Sequence, residues 1–513
     1  MVESLRPHRV RQQEIGGLLG RIPGARLHGA ADARVAGITH DSRLVRPQDV
    51  YLARAGERTH GIVHVAEAVA AGATVVLTDP ASVQAATAAG VAAVVEVPDP
   101  RAVTGEASAW VYGDPSSDML VLGVTGTNGK TTTAYLIDAG LRAAGRSTGL
   151  VGTIETHIAG EVIPSQRTTP EATDLQALFA VMRERGVDAV AMEVSSHALA
   201  LDRVTGTRFA VAAFTNLSQD HLDFHPDMES YYAAKAMLFT PSMSARGVVN
   251  VDDSWGRRLA ADAQVPVTTV GGPGPDGMTA WRRTHESVSV EGGDLTLVSP
   301  QGESHPVHVS LPGRFNLRNA ALAFVGLVEA GMPPEAVAAG IAGLASVPGR
   351  MERVDRGQPY AVLVDYAHTP QAVALLLDEA RALAGSGRVV AVLGCGGDRD
   401  RSKRPLMGAA LATGADVAIL TSDNPRSEDP LAILAAMEAG VRSADAAARI
   451  VVEPDRRVAI DRALAEARSG DVVVIAGKGH EQGQEQAGRT VPFDDRLVVR
   501  DLLAAKGFAV GVA

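Results

Sequence analysis

One cysteine, Cys395, stands in a chain of 513 residues. That excludes an intramolecular disulfide and a cysteine-cluster zinc site, and it fits a reducing compartment such as the cytoplasm. No run approaches the ~20 consecutive apolar residues of a membrane-spanning helix. The N-terminus, MVESLRPHRVRQQEIGGLL, carries charges where a secretory leader would be apolar. Secretion and membrane spanning are therefore not expected. Aromatic residues make up only 4% of the chain, so the core has to be aliphatic. Excess positive charge is lacking as well: the formal net charge is -11, which offers no basic surface to a nucleic-acid backbone. An anionic substrate would need a local basic pocket.

What is present is ordinary for a soluble globular protein, with 46% hydrophobic and 21% charged residues. The length exceeds what one core can serve and suggests roughly three domains of ~150 residues. From residue 37 to about 96, short apolar runs alternate with alanine-rich helical stretches, as in the helix 65–71 and the strand 73–77. This predicts a small α/β domain. Turn formers cluster over 109–118 and an apolar strand follows over 119–124, which places a boundary near 113. The middle region shows βαβ alternation, with strands at 189–194 and 210–214, the pattern of a parallel sheet. Residues 287–290, 295–298 and 307–311 instead predict antiparallel strands joined by Gly and Pro turns. After Pro348-Gly349-Arg350 the alternation restarts, with strands at 361–364, 389–393, 417–420 and 472–475. The predicted domains are 1–113, 114–345 and 346–513, with a central phosphate-loop-type, mainly parallel sheet and a Rossmann-like C-terminal domain.

The segment MLVLGVTGTNGKTTTAYLIDAGLRAAG orders an apolar strand, a glycine-bearing turn and an amphipathic helix. That is the context of a phosphate loop. Glycines let backbone N–H groups approach the phosphates, and the helix N-terminus adds its positive dipole end. Gly126, Thr127, Asn128, Gly129, Lys130, Thr131 and Thr132 form the candidate loop, with Lys130 on the β and γ phosphates and the Thr131 hydroxyl on Mg²⁺. The generic pattern requires glycine at 124, where Val124 stands.

The string GTNGKTT resembles the ATP loop of the Mur ligases, which assemble the peptidoglycan precursor peptide, and of the related folylpolyglutamate synthetases. The resemblance continues through Glu193-Val194-Ser195-Ser196-His197, Thr215-Asn216-Leu217-Ser218-Gln219-Asp220-His221-Leu222-Asp223 and Tyr232-Ala233-Ala234-Lys235. It then runs through Phe315-Asn316-Leu317-Arg318-Asn319-Ala320, Gly349-Arg350-Met351-Glu352, Asp365-Tyr366-Ala367-His368-Thr369-Pro370 and Gly394-Cys395-Gly396-Gly397-Asp398-Arg399-Asp400. These strings span most of the chain in the family's order.

Several residues take roles from that resemblance. Glu193 ends an apolar strand, a position from which parallel sheets present ligands; with His221 and Thr131 it would hold metal. Read alone, His221, Asp223 and His225 suggest either a zinc cluster or a loop histidine with satisfied partners. Lys235, read alone, is a solvated or snorkelling lysine on a helix; the family implies an N-carboxylated lysine there, a carbamate that binds metal. Asn319, Arg350, Asp365 and His368 match positions around the nucleotide. Arg350 opens the last domain, so closure of that domain is implied for catalysis. Ser42, Glu57, Arg58 and Thr59 resemble the uridine-diphosphate pocket, although Asp41 and Ser42 also read as turn or cap residues. Thr168, Thr169, Ser195 and Arg203 match positions that hold the muramoyl dipeptide.

The string Thr421-Ser422-Asp423-Asn424-Pro425-Arg426 resembles the D-N-P-R signature of members that add meso-diaminopimelate. That amino acid differs from lysine by a second carboxylate, which the Arg426 guanidinium can grip bidentately. Arg399, Gly477 and Glu481 match the rest of the pocket, and the Glu481 carboxylate suits an ammonium group. The neighbouring GHE is not a zincin motif, because Gln484 stands where its second histidine would fall. The implied reaction makes an amide through an acyl phosphate, with ATP and Mg²⁺, on small-molecule substrates. The same reaction with L-lysine and a phosphate-loop NTPase switch are the alternatives; no N-K-x-D guanine motif supports the latter.

Overall fold

The computed structural model describes residues 5–56, 59–272, 280–444 and 446–508. Glu57 and Arg58, expected in the uridine-diphosphate pocket, lie outside them. The chain divides into two compact units, Met1–Arg282 with Ala321–Gly340, and Arg283–Ala320 with Ile341–Ala513.

The first unit holds two large sheets beside the short pair Gln13–Glu14 with Arg34–Val35. Strands β1 (Arg26–Gly29), β2 (Gly37–Thr39), β3 (Asp49–Ala53), β4 (Val75–Thr78) and β5 (Ala93–Glu96) lie in the order β1-β5-β4-β3-β2. All neighbours are parallel except β1 with β5. The boundary expected near 113 falls in a tight turn: the helix Thr104–Val111 ends, Asp114 takes φ 48, and a short 3-10 turn, Pro115–Asp118, leads onward.

The second sheet contains β6 (Leu120–Thr125), β7 (Thr148–Val151), β8 (Glu155–Ile158), β9 (Glu161–Pro164), β10 (Ala189–Glu193), β11 (Val211–Phe214), β12 (Gly247–Asn250) and β13 (Val267–Gly271), ordered β9-β8-β7-β10-β6-β11-β12-β13. The run from β7 to β13 is parallel, and β8 and β9 add an antiparallel edge. Every residue of β10 and β11 is buried, because a parallel sheet is covered on both faces. The helices that matter for the site are α1 (Lys130–Ala143), α2 (Ala172–Glu184) and α3 (Met228–Ala236). Strands β7, β8, β9, β12 and β13 were not expected from the sequence. They are short, and β7 and β12 carry glycine, which weakens the strand signal.

In the second unit β14 (Gly292–Val298) and β15 (Ser304–Val309) pair antiparallel, as expected. Beyond them β16 (Ala361–Asp365), β17 (Val389–Cys395), β18 (Val417–Ser422), β19 (Arg449–Val452) and β20 (Val472–Ala476) form a parallel sheet in the order β16-β20-β17-β18-β19. Alternate residues of each strand feed opposite cores. Val390 and Val392 join Val362, Ile419 and Val473 on one face, while Ala391 and Leu393 join Leu363, Leu420 and Val474 on the other. This follows from the two-residue repeat of a strand. Four of the helices here start on side-chain caps: Thr369 for Pro370–Ala384, Asp429 for Pro430–Ser443, Asp455 for Arg456–Glu466 and Asp494 for Asp495–Ala505. A final hairpin pairs β21 (Gly483–Gln486) with β22 (Arg489–Pro492). No helix among the described residues is long and apolar enough to cross a membrane.

A fully buried ion pair braces this second unit. Arg456 donates to both oxygens of Asp495, at 2.7 and 2.6 Å, and to the carbonyls of Ser422 and Ala476 at the ends of β18 and β20. Removing one member of such a pair strands a buried charge. The Asp495→Ala variant is therefore expected to lose about 3–5 kcal/mol of stability, read as a lowered midpoint for the corresponding transition in urea unfolding.

Candidate active site

The phosphate loop is shaped by its corner. Strand β6 delivers the chain to Gly126 at φ 146, and Gly129 at φ 88 precedes α1. A β-carbon on residue 126 would stand 1.9 Å from Thr215 Oγ1, so the close approach of loop and neighbour requires glycine. The segment after β11 then fastens the loop. Thr127 N–H donates to the Asn216 carbonyl at 2.8 Å, Asn128 N–H to Asn216 Oδ1 at 3.0 Å, and Thr215 Oγ1 to the Asn128 carbonyl at 2.6 Å. The Thr127 hydroxyl lies between Ser218 and the Tyr231 hydroxyl, 3.2 Å from each partner oxygen. Thr132 is buried in the first turn of α1.

Two lysines converge on one carbonyl. Lys130 Nζ donates to the oxygens of Gly126 and Thr127 at 3.0 and 2.9 Å, and Lys235 Nζ donates to Gly126 O at 2.8 Å. Lys235 sits in α3 with 1% of its surface exposed, so the solvated reading of this lysine does not hold. Its ammonium lies 4.5 Å from the Tyr231 ring centroid. Burial first, and Lys130 second, push its pKa well below the usual lysine range.

Glu193 lies at the carboxyl end of β10, 1% exposed. Its Oε2 accepts from Thr131 Oγ1 at 3.0 Å and from Thr153 Oγ1 at 3.1 Å, and its Oε1 accepts from Thr153 N–H at 2.7 Å. The Thr131 hydroxyl and the Glu193 carboxylate thus meet as paired oxygen donors, the kind Mg²⁺ prefers. Among the described residues no group of three or more His, Cys, Asp or Glu is placed to hold a metal by itself. His221, at φ 53, packs edge-on against His197 and Tyr231. Burial pushes its pKa to about 4, with Asp220 opposing, which keeps the imidazole neutral near pH 7.

The residues expected to hold the muramoyl dipeptide gather beside Glu193. Thr168 Oγ1 is 3.0 Å from Thr153 Oγ1, Thr169 Oγ1 donates to the Glu193 carbonyl, and the Ser195 N–H donates to Thr169 Oγ1. Arg203 meets Glu171 at 2.9 Å, and Arg54, the residue after β3, reaches the same carboxylate at 3.2 Å. Burial raises the Glu171 pKa, and the charges of Arg203, Arg54, His40 and Arg167 together more than reverse that. Ser42 donates to Glu67, and Thr59 accepts from the Gly56 N–H through its carbonyl.

In the second unit Asp365, largely buried, accepts from the N–H groups of Met351 and Ala367 at 2.8 and 2.7 Å, and burial raises its pKa. Tyr366 carries Arg350 over its face at 4.9 Å, with His368 and His480 packed against the ring. Asn319 donates to Asn316 within the helix Arg314–Glu329.

The expected amino-acid pocket also assembles in this unit. Arg426, at φ 54, donates from Nη1 to the Gly397 carbonyl at 2.7 Å and pairs with Glu485 at 3.2 Å. Asn424 Nδ2 donates to Glu481 Oε2 at 2.8 Å. Asp423 and Gly477 are adjacent: a β-carbon on Gly477 would touch Asp423 Oδ2 at 3.2 Å. The Pro425 carbonyl closes over Gly397, where a β-carbon would come within 1.9 Å of it. Arg399 is exposed beside this loop.

Matching family models agree with the geometry. Those described as "Mur ligase family, catalytic domain", "Mur ligase middle domain" and "Mur ligase, glutamate ligase domain" cover residues 34–111, 124–327 and 349–479. A relative from Streptomyces coelicolor, named UDP-N-acetylmuramoyl-L-alanyl-D-glutamate--2,6-diaminopimelate ligase, is 53% identical over 97% of this chain and 98% of its own. The chain belongs to the Mur ligase family. A relative of the same name from Corynebacterium glutamicum is 47% identical over 96% of both chains. A solved structure of a ligase with that name is 31% identical, with a TM-score of 0.69 over 97% of this chain and 100% of the other. A MurF ligase from Thermotoga maritima, solved with ADP, shares the fold at 18% identity and a TM-score of 0.62, over 92% of this chain and 98% of the other. The three-domain α/β architecture of the Mur ligases is therefore the fold, and the chain is a ligase of this ATP-dependent family.

Three contributors to this Mur ligase's site were not singled out from the sequence: the brace Thr215-Asn216-Ser218, Thr153 on Glu193, and Tyr231 under Lys235. The brace lay within a quoted family string; Thr153 and Tyr231 have no local signature. Thr215→Val removes the donor to Asn128. We expect nucleotide affinity by titration calorimetry to fall roughly 5- to 10-fold, the worth of about one neutral hydrogen bond.

Proposed function

We propose that the chain attaches meso-diaminopimelate to the D-glutamate side-chain carboxylate of UDP-N-acetylmuramoyl-L-alanyl-D-glutamate, at the expense of ATP, in the cytoplasm. The observation that carries this reading is the Arg426–Glu481 pocket. One guanidinium and one carboxylate, linked through Asn424, are the complements of a distal carboxylate and its ammonium. The shared name of the full-length relatives supports it.

In this reading residues 1–113 take the uridine diphosphate, 114–345 the nucleotide, and 346–513 the incoming amino acid. The D-glutamate carboxylate oxygen attacks the γ-phosphorus and ADP leaves. The diaminopimelate amine then attacks the acyl phosphate carbon, a tetrahedral intermediate forms, and phosphate departs as the amide is completed. Lys130 neutralises charge on the transferring group. Asn319, Arg350, Asp365 and His368 hold the nucleotide; Thr168, Thr169, Ser195 and Arg203 hold the muramoyl dipeptide. Thr131 and Glu193, with His221, would hold Mg²⁺, which would screen the phosphate oxygens and polarise the phosphoryl group. Burial lowers the Lys235 pKa well below the usual lysine range, which favours the free amine that adds to CO₂ and loses a proton to leave the carbamate the family carries at this place.

Two measurements test the assignment. In a phosphate-release assay with both amino acids in competition, diaminopimelate wins; lysine winning sinks the reading of Arg426. With Arg426→Ala, kcat/KM for diaminopimelate drops about 30- to 100-fold, the worth of charged hydrogen bonds, while the low rate with lysine is nearly unchanged. The Lys235→Ala variant loses most activity and regains part of it with bicarbonate; unchanged activity, or no rescue, would count against the carbamate.

A further inference from the structure

Lys478 is a buried cation of the second unit that the assigned roles leave unexplained. It follows β20, its side chain is 0% exposed, and its ammonium meets three acceptors. These are the Gly483 carbonyl at 2.6 Å, Glu481 Oε2 at 3.0 Å and Asn424 Oδ1 at 3.2 Å, with Asp423 Oδ1 at 3.7 Å. Three protons for three acceptors leave this ammonium no capacity to bind a ligand itself. Each acceptor, however, belongs to or borders the pocket assigned to the amino acid.

We propose that Lys478 is the positioning residue of the diaminopimelate site, tying its ammonium-recognising end to its carboxylate-recognising end; the proposal rests on the reading of that pocket given above. At one end Lys478 and Asn424 Nδ2 both occupy Glu481 Oε2, which turns the other carboxylate oxygen toward an ammonium group of the substrate. Burial alone would raise the Glu481 pKa; Lys478, joined by Asn424 and His480, more than offsets this and lowers it, so Glu481 stays charged. At the other end Lys478 anchors β21 through the Gly483 carbonyl. That strand holds Arg426: Glu485 O accepts from the Arg426 N–H at 2.9 Å, and the Glu485 carboxylate pairs with its guanidinium. Asn424 Oδ1 joins the two ends, accepting from Lys478 and from the Glu485 N–H at 3.0 Å. Neither recognising side chain is held in place by exposed contacts alone.

The test is steady-state kinetics of Lys478→Met, Glu481→Gln and the double variant in the full-length enzyme, varying each substrate in turn. Wild type assayed with diaminopimelate and with lysine first establishes which amino acid the pocket takes. If wild type prefers lysine, the pocket reading fails; if it takes diaminopimelate, the variants judge Lys478 alone. The expected result is a KM for diaminopimelate raised roughly 10- to 100-fold in Lys478→Met, with KM for ATP and for the muramoyl substrate within about twofold. On the Glu481→Gln background the same substitution adds much less, because the two act as a unit. A diaminopimelate KM that does not move, or all three KM values moving together, overturns the proposal. Should Lys478→Met not fold, the double variant, in which neither buried charge is left alone, is compared with Glu481→Gln; a full further rise in KM then overturns it.

Discussion

A single missing side chain shapes the nucleotide half of this ligase. Because residue 126 has no β-carbon, the turn after β6 can take φ 146 and press against Thr215. That contact lets Asn216 and Thr215 grip the loop backbone, and it places the Gly126 carbonyl where Lys130 and Lys235 both reach it. Thr131 then begins α1 facing Glu193, whose other oxygen is fixed by the Thr153 N–H. Loop, cations and carboxylate are consequences of one close backbone approach rather than independent features. The failure of the generic loop pattern at Val124 has its place here: Val124 is a fully buried strand residue, paired with the neighbouring strand β10.

The proposed amino-acid pocket adds buried charges to a glycine corner of its own, at Gly397 under the Pro425 carbonyl. Arg456 with Asp495 joins the ends of β18 and β20, from which Asp423 and Gly477 continue. Lys478 then distributes its three hydrogen bonds among the recognising residues. Burying such charges is costly unless every donor finds an acceptor, and here the donors of Lys478 do.

Much of the fold was legible because parallel strands read as continuous apolar runs, as in β10, β17 and β20, and because glycine and proline mark the breaks. The antiparallel section at 287–311 was visible from its turns. What was missed was short or polar: β8 reads Glu-Thr-His-Ile, β9 is a four-residue strand ending in proline, and β13 carries adjacent threonines. Of the candidate site, the loop, Glu193 and the D-N-P-R string could be placed because their chemistry sits in contiguous motifs. Lys235 and Lys478 could not be told from surface lysines, since burial of a cation depends on which distant carbonyls fold over it. Thr153 escaped for the same reason: its partner is 40 residues away.

The backbone of Arg426 carries a consequence of its own. A non-glycine residue at φ 54 is held against a preference of about 1 kcal/mol or more, and here the hairpin β21–β22 holds it through Glu485 and Ala487. Glycine at this position would relax that strain while deleting the guanidinium. If Arg426 grips the second carboxylate as proposed, easing the backbone here would cost both that grip and the guanidinium's own bonds to Gly397 and Glu485, so strain and recognition meet at a single φ angle.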